Sequence, residues 1–262
     1  AIDRENKKDP QHWGPQTNKQ PREVIHMSNV IHLRELSNRL DRSGKPHALS
    51  LYQLVEVLLR ERSWDRSKYE QDLSRSADPK KVRDDHKGTF KAWSPVIYEE
   101  EEEGRKKKNI KAVTMLVMDY DEGDYKFDQI RYYWEVLGYT CIFHTSSSHE
   151  FEQTKLRAVL PFAEPCPAEL FPRVWKWGWE MISDKPDENG ARKGWADPAT
   201  KDASRIYYLN YSPFANVMPR NGFHLGRFGL LDWRKLDLPK EQPKPRPRVI
   251  KVGGGSPTNN KY

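Results

Sequence analysis

The sequence predicts an α+β fold, a mainly antiparallel sheet flanked by helices behind a helical N-terminal region. Three observations carry that expectation. Apolar residues recur at three and four positions in two segments before residue 62 and again after residue 126. The run Ala112–Met118 is apolar but for Thr114 and too short for a membrane span, which suits a buried central strand. Shorter strand-like segments follow it at intervals, separated by one helix and several polar loops.

Taken in order, residues 1–25 form a polar arm punctuated by Pro10, Pro15 and Pro21. Residues 26–91 form the helical N-terminal region. Val30, Ile31, Leu33, Leu36 and Leu40 predict a helix over 29–40. Leu51, Leu54, Val55 and Leu58 predict a second over 50–62, with Ser50 as its N-cap. A charged stretch over 61–91 has only Trp64 and Tyr69 as large anchors.

Residues 92–233 form the core. Ala92–Tyr98 reads as a strand with an edge proline at Pro95. Glu99–Lys108 separates its negative from its positive charges and reads as a solvated hairpin tip. After the central strand, Phe127, Ile130, Trp134 and Leu137 give a helix closed by Gly138. Tyr139–His144 and Lys155–Phe162 are strands, and Pro167–Ile182 is a Trp-rich helix. Ser204–Leu209 and Gly222–Phe228 complete the set. Residues 234–262 are a basic Pro/Gly-rich tail or linker.

Composition limits the function classes. Of 262 residues, 32% are charged and 36% hydrophobic, so part of the chain is expected to stay unpacked. The net charge is +7, but Arg234–Tyr262 holds eight Lys/Arg against two Asp/Glu. The rest is therefore close to neutral, and any nucleic-acid contact needs a local patch. Two cysteines, Cys141 and Cys166, exclude a four-cysteine zinc site, so no structural zinc is expected. Reduced thiols, no charged-then-apolar leader and no membrane segment predict a cytoplasmic protein.

Four features could carry chemistry. Asp119 and Asp121 lie two apart at the end of the central strand, so their side chains point the same way. Paired carboxylates there can bind a hard divalent cation. Set against this is a plain Asp-rich turn capping the next helix, a part that Asp124 and Asp128 fill well. Next, His144-Thr145-Ser146-Ser147-Ser148-His149 follows a strand, and its hydroxyls and free N–H groups can receive a phosphate. His144 fits a strand residue and His149 a ligand. Third, Lys155 and Arg157 share one face of the strand leaving that loop, suited to an anion or to solvent. Fourth, Asp197 and Arg205 precede a strand and could supply a third carboxylate and a phosphate-binding guanidinium. Asp202 there suits a turn cap.

This order of motifs resembles the archaeo-eukaryotic primase (AEP) superfamily, in particular its plasmid- and phage-type primase-polymerases. The resemblance rests on Asp119-Tyr120-Asp121, then Ser147-Ser148-His149, then Trp195-Ala196-Asp197. The stretches Lys155–Pro161 and Ser204–Leu209 also look like the replication-primase branch. The likeness spans roughly residues 93–228 and implies the AEP, RRM-like catalytic core of small-subunit primases. It implies that Asp119, Asp121 and Asp197 hold catalytic Mg2+ or Mn2+. It also implies that Ser147 and His149 meet the nucleotide, assisted by Arg205 and by Lys155 or Arg157. The implied partners are a single-stranded DNA template, nucleoside triphosphates and a helicase in cis or trans.

The gap from His149 to Asp197 is long, which leaves Asp184, Asp187 and Asp202 as competitors for the third acid. With no zinc module, template engagement falls to the N-terminal region and the basic tail. The Trp175–Trp179 cluster could stack on bases, yet its helical spacing suits a core. A rolling-circle nuclease would need a paired His-x-His, and His144 and His149 are five apart. A non-catalytic replication initiator binding origin DNA through its N-terminal helices is the reading of a different class.

Overall fold

The computed structural model describes residues 29–121, 125–183, 195–215 and 217–240. The polar arm, the basic tail beyond residue 240, and Asp124, Asp184 and Asp187 lie outside the described residues.

The chain enters as an antiparallel hairpin of Ile31–Leu36 (β1) and Lys45–Leu49 (β2). The helix expected over 29–40 is therefore a strand. Six apolar-rich residues satisfy either period, and here neighbours on both edges supply the backbone partners. Val30 and Leu40, counted toward the helical stripe, are exposed. The hairpin turn is tied by Asp41, whose carboxylate accepts from the N–H groups of Ser37, Ser43 and Gly44.

Three helices follow, Leu51–Leu59 (α1), Arg66–Arg75 (α2) and Pro79–Gly88 (α3). Ser50 caps α1 as expected. Its hydroxyl accepts from Gln53 N–H at 3.3 Å, and Gln53 Oε1 accepts from Ser50 N–H at 2.9 Å. The helical character of residues 26–91 thus resides in these three helices.

The expected strand at 92–98 is two strands, Ala92–Ser94 (β3) and Val96–Tyr98 (β4), in different sheets. Pro95 cannot donate to a ladder, so the chain changes sheet there. The first sheet runs β2-β1-β3-β8, where β8 is Tyr207–Tyr208, a shorter piece than the 204–209 expected. Because β1 pairs with β3, the segment before residue 92 shares a sheet with the core.

The second sheet runs β4-β5-β7-β6-β9. Its members are Ile110–Tyr120 (β5), Cys141–Thr145 (β6), Leu156–Pro167 (β7) and Asn221–His224 (β9). All the pairings are antiparallel. Helix α4, Phe127–Leu137, ends where the sequence indicated, at Gly138 with φ 78°. That left-handed conformation suits glycine, and an added Cβ would also meet Phe228 at 2.9 Å. Helix α5 is Phe171–Met181.

Strand alternation divides the apolar residues of the second sheet between two cores. Leu116, Met118, Phe143 and Leu160 pack with Phe127, Ile130 and Trp134 of α4 and Phe171 and Val174 of α5. Trp175 is buried and donates to Thr200 Oγ1 at 2.8 Å, so it belongs to the core, not to a stacking platform. On the other face, Met115, Val117, Ile142 and Val159 pack with Leu54 and Leu58 of α1 and with Tyr207 and Leu209.

Candidate active site

The second face turns polar toward the C-terminal end of β5. Register places Asp119 opposite Arg157, Arg157 opposite His144, and His144 opposite Asn221. Residues two apart share a face, so Asp121 continues from Asp119 and Lys155 from Arg157. This row starts where Met115, Val117 and Val159 leave off.

Asp119 and Arg157 form a buried bidentate pair. Nε donates to Oδ1 at 2.5 Å and Nη2 to Oδ2 at 3.0 Å. The third donor, Nη1, reaches the carbonyl of Tyr208 at 2.8 Å, and the guanidinium lies 4.8 Å from the Tyr207 ring centroid. Arg157 therefore ties the second sheet to β8 of the first. Burial works against its charge, but Asp119 holds its pKa above the usual value.

Asp121 has no comparable partner. Among the described residues no hydrogen bond or ion pair reaches its carboxylate, while Gln153 Nε2 donates to its backbone carbonyl at 3.1 Å. Burial, then Asp119, raise its pKa; Arg157 and Lys155 oppose the rise, and Asp197 adds to it. Asp197 is close because its N–H donates to the Asp119 carbonyl at 2.7 Å. Its side chain accepts from Ala199 N–H at 2.8 Å and meets Arg205 Nη2 at 3.4 Å. Asp202 caps a turn, accepting from Ser204 N–H at 3.0 Å, and pairs with Lys107 at 2.9 Å. Lys201, Asp202, Ser204 and Arg205 line an open groove on this side.

The loop after β6 closes against the start of β7. Ser146 N–H donates to the Lys155 carbonyl at 2.9 Å, and Lys155 N–H donates to His149 Nδ1 at 3.4 Å. Burial lowers the His149 pKa, with Arg220 adding to it and the Gln153 backbone opposing it. A neutral ring accepting at Nδ1 carries its proton on Nε2, an assignment made from this bond. Ser147 and His149 are both buried, and Phe214 N–H donates to the Ser147 carbonyl at 2.8 Å.

His144 fits the strand role. Burial, then Arg157, push its pKa down to about 3. Its Nδ1 lies 3.1 Å from the Thr145 carbonyl, and Nε2 has no partner. Sequence reasoning missed Lys87 on α3, whose Nζ donates to Ser148 Oγ. It also missed Arg83, 3.5 Å from Glu150. Their spacing of four on one helix was the available signal.

The donors suit a divalent cation in their chemistry, since Asp119, Asp121 and Asp197 are hard oxygen ligands that repel one another. Their arrangement falls short of a three-ligand site. Among the described residues no group of three or more His, Cys, Asp or Glu is placed to hold a metal ion. Arg157 occupies both oxygens of Asp119, and Asp197 caps a 3-10 turn.

No family model matches the sequence, and no curated protein matches it either. Among solved structures, the chain is similar to the AEP domain of a primase-polymerase (PrimPol) from cyanophage S-2L. Identity is 12%, the match covers 78% of this chain and 85% of that one, and the TM-score is 0.38. A likeness that distant transfers no role to any residue. No helix among the described residues is long and apolar enough to cross a membrane.

Proposed function

We propose that this chain is a metal-dependent nucleotidyltransferase of the primase/polymerase type, acting on a single-stranded DNA template. The observation that carries the reading is Asp121. Its half-buried carboxylate lies in the field of Asp119 and Asp197, makes no ion pair among the described residues, and adjoins the loop after β6, where Gln153 donates to its backbone carbonyl. A structural acid in that position would be paired or exposed.

Asp121 would hold Mg2+ or Mn2+, with Asp119 and Asp197 as further ligands once their contacts to Arg157 and to the 3-10 turn rearrange. When bound, such an ion neutralises charge that develops on the phosphate oxygens. The protein's own groups do the positioning. Arg157 fixes the orientation of the Asp119 carboxylate through two hydrogen bonds. Ser147 and His149 contact the triphosphate, and Lys155 offsets its charge. Arg205, paired with Asp197, would assist from the side of the third acid. A chain 3′-hydroxyl, or a first nucleotide in priming, attacks the α-phosphorus, and pyrophosphate leaves. Positioning and charge neutralisation supply most of the rate. Two buried free thiols, Cys141 and Cys166, agree with a cytoplasmic protein, and its replicon would be a phage, plasmid or other mobile element. A helicase in cis or trans would complete the replication role.

The test is template-directed synthesis on single-stranded DNA with nucleoside triphosphates and Mg2+ or Mn2+, with and without a labelled primer. Asp121→Asn is the control of choice, because it leaves the Asp119–Arg157 pair intact. Products lost in that variant establish the polymerase, and primer-free products a primase. A folded wild type that binds DNA yet makes no product with either metal sinks the reading in favour of a non-catalytic initiator.

A further inference from the structure

The α3 face that meets the His149 loop is cationic and has no assigned role. Arg83 and Lys87 are four apart and point the same way. Lys87 Nζ donates to Ser148 Oγ, and Arg83 Nη1 lies 3.5 Å from Glu150 Oε1, so α3 holds the residues on either side of His149. Lys87 is half-buried, and its ammonium lies 6.0 Å from the Phe214 ring centroid.

The carboxylates nearest Lys87 act on it from a distance and none pairs with it. Burial, then Arg83, lower its pKa, and Lys155 pushes the same way; Asp84 and Asp121 pull against them. Among the described residues Lys87 makes no ion pair, and its hydrogen-bond partner is a neutral hydroxyl. Folding therefore gathers Lys87, Arg83 and Lys155 about one serine-rich turn, against their mutual repulsion. Glu150 answers Arg83 alone. An anion with several oxygens would relieve the repulsion and take the donors that remain.

We propose that Lys87, together with Ser148 and Lys155, forms the subsite for the polyphosphate tail of the incoming nucleotide. The inference rests on the nucleotidyltransferase reading and adds a residue from the N-terminal region to its site. It makes α3 part of the nucleotide pocket as well as a support for the loop.

Calorimetric titration of the full chain with inorganic triphosphate and with Mg·dATP tests it. Lys87→Met keeps the aliphatic stem near Phe214 and removes the charge. Lys87→Arg keeps the charge, and Arg75→Met on the exposed end of α2 is the control. Loss of one charge-assisted contact should weaken both ligands by about 10- to 100-fold in Lys87→Met. Lys87→Arg should stay within a few-fold of wild type, Arg75→Met should match it, and thermal unfolding without ligand should be unchanged. Lys155→Met is the second variant, and it must weaken binding too.

Wild-type affinity in Lys87→Met, or a wild type that binds no triphosphate, overturns the proposal. Weak binding confined to a Lys87→Met protein that also melts early, with Lys155→Met binding normally, reduces Lys87 to a helix-docking contact and overturns it as well. The two readings fail separately. A chain that binds triphosphate through Lys87 but makes no polymer keeps the subsite and loses the polymerase. A chain that polymerises with an unchanged nucleotide KM in Lys87→Met does the reverse.

Discussion

The two faces of the second sheet are made by the same strands and the same alternation, yet they have different contents. Toward α4 and α5, β5 presents Leu116, Met118 and Tyr120, all fully buried. Toward α1 and β8 it presents Met115 and Val117, and then Asp119, with Asp121 just past its end. The first face is sealed along its length by two amphipathic helices. The second changes from apolar to charged while still covered, since Asp119, Arg157 and His144 are all buried. Period two puts side chains on a face, but what lies opposite decides which chemistry that face can keep.

The largest expected effect tests whether the polar face is sealed at Asp119. Asp119→Ala leaves Arg157 charged and buried without its carboxylate, which costs about 3–5 kcal/mol of stability. Urea unfolding measures it, and the double variant Asp119→Leu/Arg157→Met should recover most of the loss. A cost under about 1 kcal/mol would mean that water already reaches the pair.

A pH effect is expected on this face, at His144. The folded pKa of His144 is about 3, below its ordinary value, so the unfolded chain takes up the proton first. Stability should therefore fall as pH drops below about 6.5, and this contribution should level off near the folded value. Over that window the change is on the order of a few kcal/mol. Thermal unfolding of wild type and His144→Gln at pH 7 and 5.5 should show a smaller drop in the variant. Equal drops would remove His144 as the cause.

On the apolar face, the Trp134 indole N–H donates to Tyr120 OH at 3.0 Å, both groups buried. Trp134→Phe keeps a ring but leaves that hydroxyl without its donor, at a cost of about 1–3 kcal/mol. The cost should be the same at pH 7 and 5.5, since burial holds the Tyr120 hydroxyl neutral. Ser50→Ala touches neither face and should cost about 1 kcal/mol through the lost α1 cap. Denaturant midpoints of the two variants set the scale for the charged row.

Local signals were legible where one interaction sets the outcome. Ser50 and Gly138 mark the ends of α1 and α4 because capping is a matter of a few adjacent residues. Ala112–Met118 marks the central strand because a run apolar at every position but Thr114 suits a strand buried on both faces. Residues 29–40 carry helical spacing, yet β1 is a strand because its hairpin partner β2 and the sequence-distant β3 supply its backbone partners. The break at Pro95 was visible as a proline, but its consequence, a change of sheet, was not.

At the candidate site, the spacing in sequence was enough to put Asp119 with Asp121 and Lys155 with Arg157, since alternation is a property of a strand alone. Sequence also ordered the Ser147–His149 loop between them. The pairing of Asp119 with Arg157, the closeness of Asp197 to both acids, and the arrival of Lys87 at Ser148 came only with the tertiary structure. Each depends on strand register or on where a helix docks, and those are settled by burying surface across the whole molecule rather than by any neighbouring residue.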